Sequence, residues 1–172
     1  MEMLYSRIIG MPVFASDSSR PICSVQDLIL DPLSGAVIAF VVGRGLIVTP
    51  SDVLSIKHSV LVRSNDDVLE ASDVLRVQKV IDDGMGIMGK KVITSEGKVL
   101  GKIVDMTIDD KALILNKIYT ARVILGLLQH DSRIIPAKNI VEVRADSVVV
   151  KDDSGDVVEI EVEREAVGAV GA

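Results

Sequence analysis

The sequence predicts an all-β (mainly β) protein, built as two tandem small β-barrels with a short connecting helix, and three observations carry that reading. The chain repeats itself, one unit spanning residues 1–70 and the other residues 86–163. Apolar residues fall in short runs about every eight to twelve positions, punctuated by Asp, Pro, Ser and Gly. The core stock is aliphatic: 48% of residues are apolar, yet there are only two Tyr, two Phe and no Trp. The interior must therefore be built from Val, Ile and Leu, whose branched side chains suit strands.

The repeat is read in order along the chain. Ile9-Gly10-Met11-Pro12-Val13 aligns with Met88-Gly89-Lys90-Lys91-Val92, and Ser16-Asp17 with Ser95-Glu96 as the following turn. Val25-Gln26-Asp27-Leu28-Ile29-Leu30-Asp31 aligns with Ile103-Val104-Asp105-Met106-Thr107-Ile108-Asp109, each a strand ending in Asp. Val48-Thr49-Pro50-Ser51 then matches Ile134-Ile135-Pro136-Ala137. Val53-Leu54 matches Ile140-Val141, and Ser59 to Val62 matches Ser147 to Val150. Asp31-Pro32-Leu33-Ser34-Gly35, with Pro early and Gly late, has the chemistry of a tight turn.

Residues 71–85 read differently. Val74, Leu75, Val77, Val80 and Ile81 have helical spacing after Ser72-Asp73 as a candidate cap, and Gly84 is a stop signal. This predicts a linker with a short helix. Residues 164–172 are mostly small and are expected to form a flexible tail. The apolar run from Ala36 to Val42 exceeds what one inward-facing side of a strand needs, so it is expected to be buried on both sides, between the barrels, rather than exposed for a partner.

The second half resembles the PRC-barrel domains. These are named after the cytoplasmic domain of the photosynthetic reaction-centre H subunit and also occur in ribosome maturation factors. The residues that carry the resemblance are Gly89-Lys90-Lys91-Val92, Thr94, Gly97, Leu100-Gly101, Ile103-Val104-Asp105, Ile108-Asp109, Ile135-Pro136 and Ile140. The first half fits less closely, holding the frame with Asp27, Asp31 and Pro50. The resemblance implies a tandem pair of PRC-type barrels packed as an intramolecular pseudo-dimer, and a docking role without catalytic residues. It transfers fold better than function. No membrane-spanning helix precedes the barrels as in the reaction-centre subunit, and a second copy stands where the maturation factors carry a different domain.

Charge and composition narrow the functional classes. With 19 basic against 25 acidic residues the net charge is −6, and no basic stripe is visible, so direct nucleic-acid binding is not expected. Four aromatics offer little stacking surface for single strands. The longest apolar stretch is too short to span a bilayer, and no basic stretch followed by a long apolar run marks a signal peptide. The lone Cys23 permits no internal disulfide and fits a reducing, cytoplasmic setting.

Candidate chemistry is sparse. Gly84-Met85-Gly86-Ile87-Met88-Gly89 spells a dinucleotide-binding pattern, but a helix precedes it and strands follow, the reverse of what a pyrophosphate site needs. Asp27, Asp31, Asp105 and Asp109 recur symmetrically, which favours capping of turns over acid–base or cation chemistry. His58 and His130 lack partners at metal-ligand spacing. Lys90, Lys91, Lys98 and Lys102 form a basic cluster on the second half and are the candidate partner-docking residues. The expected function is a non-enzymatic adaptor that binds a protein partner, with no catalytic residues, cofactor or metal; a homo-oligomer is compatible with open strand edges. Alternatives are an accessory factor for ribosome assembly or RNA processing that docks a ribosomal protein, and a small-ligand or cation-binding protein.

Overall fold

The computed structural model describes residues 1–122, 132–152 and 156–157. The first half contains β1 (Glu2–Leu4), one helical turn α1 (Tyr5–Ile8), β2 (Pro12–Ala15), β3 (Cys23–Ser24), β4 (Asp27–Leu30), β5 (Val37–Gly43), β6 (Leu46–Val48), β7 (Val53–Ile56), β8 (Val60–Val62) and β9 (Leu69–Glu70). The linker carries α2 (Leu75–Asp82). The second half contains β10 (Lys91–Thr94), β11 (Val99–Asp109), β12 (Leu115–Ala121), β13 (Arg133–Pro136), β14 (Ile140–Val143), β15 (Ser147–Val150) and β16 (Asp156–Val157). The all-β class is as expected. The proposed tail at 164–172 lies outside the described residues.

The repeat is visible in single hydrogen bonds. The Gly10 amide donates to the Val25 carbonyl at 2.7 Å, and the Gly89 amide to Ile103 at 2.9 Å. Ser16 donates to Val62 and Ser95 to Val150 in the same way. Each half contains one parallel pair, β2 with β8 and β10 with β15, in register Val13 to Val60 and Val92 to Val148.

Among the described residues, strand pairing does not close the two expected barrels. The first half divides into two four-stranded sheets, β3-β2-β8-β7 and β4-β5-β6-β9, whereas the second half runs in one sheet ordered β14-β15-β10-β11-β12-β13-β16. The division has a local cause. β11 is continuous over its whole length, but its counterpart breaks at Val25-Gln26. There the Val25 amide turns to the Met11 carbonyl and the Gln26 amide to Val41, so successive residues serve different sheets.

The two halves are joined about a local pseudo-twofold. Ala36 bridges Ile114, the Val37 amide donates to the Leu113 carbonyl at 2.8 Å, and the Leu115 amide returns a bond to Gly35 at 2.9 Å. Gly35 and Leu113 are equivalent and both have positive φ, +72° and +49°. Only glycine takes that conformation without strain, so the second half carries a cost of about 1 kcal/mol that the first does not. β1 crosses over and adds to the second half's sheet, pairing Glu2 with Asp109, Met3 with Ile108 and Leu4 with Thr107. One apolar cluster runs through both halves, including Ile8, Val13, Phe40, Ile103, Met106 and Ile118.

The helix forms where the spacing predicted it, but its cap differs. Ser72 and Asp73 lie in a preceding 3-10 turn, Ala71–Asp73, and the N-cap is Val74 without a side-chain bond. Because the chain enters the helix directly from that turn, neither polar side chain reaches the first amides. At the other end the Gly84 amide bonds Ile81 and the Met85 amide bonds Val80, closing the helix. Val77 and Val80 pack on Ile38, Ala39 and Ile47. This explains the long apolar run before Gly43. Val37, Phe40 and Val42 fill the shared core, while α2, not the second barrel, covers Ile38 and Ala39.

Candidate docking site

The repeated carboxylates are spent on the backbone. Asp31 Oδ1 accepts from the Leu33 and Ser34 amides at 2.8 and 2.9 Å, and Asp109 Oδ1 accepts from Lys111 and Ala112 at 3.0 and 2.7 Å. Each thereby closes the turn that follows its strand. Asp31 also pairs with Arg76 of α2. The Arg76 guanidinium, with the Ser34 amide, holds the Asp31 carboxyl down at about 2. The Ala112 and Lys111 amides hold Asp109 below its ordinary value.

Asp27 and Asp105 are gripped from neighbouring residues of α1. The Tyr5 hydroxyl donates to Asp27 Oδ1 at 2.7 Å, while Ser6 donates to Asp105 through its amide at 3.1 Å and its hydroxyl at 2.6 Å. Burial, then the Asp27 bond, pushes the Tyr5 phenol up. α1 therefore clamps both halves at once. Among the described residues no three His, Cys, Asp or Glu side chains are grouped to hold a metal.

The lysine cluster separates into different roles. Lys90 Nζ donates to the carbonyls of Gly84 and Arg144, both at 2.6 Å, tying the linker's end to the turn before β15. Burial holds its ammonium below the usual lysine value. Its ammonium is thus spent on bracing the chain, unlike those of the other three lysines. Lys91 and Lys102 are exposed and directly opposite each other across β10 and β11. Lys98 is exposed in the hairpin connection, its amide held by Thr94 Oγ1 at 3.1 Å. Three lysines thus lie exposed on the β10–β11 hairpin.

The remaining sequence candidates are quiet. Residues 84–89 lead from a helix into strand, with the first amides consumed in closing α2. Cys23 is half-buried on β3, and burial pushes its thiol up. His58 is exposed in the turn between β7 and β8. His130 lies outside the described residues.

The concave apolar surface lies elsewhere, and sequence reasoning did not find it. A cavity of about 320 Å³ is lined by Leu30, Leu33 and Gly35 from the first half, Met85 at the linker's end, and Ile87, Ile140 and Val143 from the second half. A second, of about 200 Å³, continues from it between Asp27–Leu30 and Gly84–Met88. Together they form a groove along the outer edge of β4, where the two halves and the linker meet. Three distant segments build it, so no local pattern announces it. Leu33 is 97% exposed and Val141 58% exposed beside it.

The PRC-barrel domain family model matches the chain twice, over residues 1–69 and 87–163. The chain belongs to the PRC-barrel domain family. No curated protein matches it. In this tandem PRC-barrel arrangement the groove lies at the junction of two copies and the linker, so a single copy would hold only part of its wall. No helix among the described residues is long and apolar enough to cross a membrane.

Proposed function

We propose that this tandem PRC-barrel protein is a non-enzymatic adaptor that docks a protein partner at the junction of its two halves. The observation that carries the reading is the groove. It is apolar, lies along an unpaired strand edge, and is large enough to receive side chains from another chain. The carboxylates that looked most capable of chemistry are bound to backbone amides, Tyr5, Ser6 and Arg76, which suits a braced scaffold better than a reaction centre.

The test is affinity capture of the full chain from a native extract treated with nuclease. A specific protein retained in stoichiometric amount supports the reading. Loss of all retained protein on nuclease treatment, or recovery of none, overturns it. An RNA-linked role would instead give retention that falls steeply with salt.

A further inference from the structure

We infer that the groove is a strand-addition site, in which the edge of β4 receives a short, uncharged, apolar extended segment of the partner. The inference rests on the adaptor reading above and specifies its contact.

The chain contains the occupied form of the same site. In the second half the edge of β11 at Thr107, Ile108 and Asp109 is filled by β1. The repeat places Ile29, Leu30 and Asp31 in the first half at those positions. β4 is the edge strand of its sheet, and no strand covers its outer side among the described residues. The residues that the repeat sets in β1's place, Ile81 to Asp83, end α2 instead of extending. What remains beside β4 is the pair of adjoining cavities, which share Leu30 and Ile87. An unpaired edge over an apolar trough is the geometry that accepts an added strand.

The filled copy also shows what the open one would take. Met3, the middle residue of β1, packs on the core, so one apolar side chain points inward. Glu2 is held by Asn116 and Lys117. Those positions are Ile38 and Ala39 in the first half, buried under α2, so an acidic residue there would lack both of those partners. The β1 of a second copy would lose the two contacts that hold Glu2, which favours an uncharged occupant. The carboxylates lining the groove already have partners within the chain: Asp31 has Arg76, Asp27 has Tyr5 and Glu142 has Arg144. A segment apolar on both faces fits.

The experiment titrates the full, isotope-labelled chain with a short capped peptide containing valine, methionine and leucine in succession. The expected result is amide shift changes at Ile29, Leu30 and Asp31, with Thr107, Ile108 and Asp109 unmoved. The same peptide with glutamate for its valine, copying β1, should bind roughly tenfold more weakly. Val141→Glu, at an exposed position beside the groove, should weaken binding about threefold or more, while Leu54→Glu, its counterpart in the repeat, should not. Met85→Glu should weaken it further, with the spectrum reporting retained fold. No binding up to about 1 mM, or shifts confined to other edges, overturns the inference. A captured partner retained equally by Val141→Glu and Met85→Glu would sink the groove while leaving the adaptor reading intact.

Discussion

The two halves of the molecule share a frame and diverge in what each does with its strand edge. The second half has its edge filled by β1 and its turn closed around a strained Leu113. The first half has the same turn closed on Gly35, the same Asp anchored additionally by Arg76, and, among the described residues, no strand on its β4 edge. The comparison teaches that a duplicated domain need not be a duplicated site. One copy's completed interaction marks the place where the other remains available.

The largest effect should come from a contact the halves solve differently. Gly101 on β11 has φ of +128°, and a Cβ there would lie 2.5 Å from the Ala121 carbonyl oxygen. In the repeat the first half has Cys23 at the position of Gly101 and Gly43 at the position of Ala121. Gly101→Ala should therefore cost about 3 kcal/mol or more in denaturant unfolding, because backbone faces backbone and neither can yield. A loss under ~1 kcal/mol would break the idea that the second half alone needs a glycine at this approach.

Next in size is the lysine that turned out to be a brace. Lys90→Ala leaves two carbonyls without their donor and should cost roughly 1–3 kcal/mol, whereas Lys91→Ala and Lys98→Ala should stay within about 0.5 kcal/mol. Equal effects from all three would restore the view of a uniform solvated cluster.

Acid stability should separate Asp31 from Asp109. With its pKa lowered from 3.8 to about 2, Asp31 contributes stability that is complete above about pH 4 and is lost as pH falls towards 2. Arg76→Ala should remove about 1 kcal/mol of this at neutral pH, the rim guanidinium being largely exposed, and should raise the pH of acid unfolding. A stability difference between wild type and variant that does not shrink below pH 4 would contradict the assignment.

The smallest effect concerns Lys91 and Lys102, like charges directly opposed across a strand pair. Lys91→Glu should stabilise by about 0.3 kcal/mol at low salt, the gain fading as salt rises. A destabilisation would sharpen attention on an unseen anionic contact.

Much of the fold was legible because it is written locally. The strand-ending Asp residues, the Pro-Leu-Ser-Gly turn and the apolar spacing of α2 act over a few positions, and the structure realises each. The misses are those that depend on distant segments. That β1 would leave its own half, that Lys90 would find two carbonyls, and that Leu30, Met85 and Ile140 would share a cavity depend on how the halves dock. Sequence periodicity is blind to that. The helix cap at Ser72-Asp73 failed for a nearer reason, the 3-10 turn that holds both residues away from the first amides. A signal for the groove was present in hindsight: the length of Ala36 to Val42 required a second covering element, and α2's role as that cover draws residues 81–83 away from the β4 edge.

The crossing of β1 also bears on how the protein comes into being. Its partner strand, β11, is synthesised long after it, so the first residues of this chain cannot reach their final place until the second half emerges. The beginning of the chain thus depends for its place on a strand made more than ninety residues later.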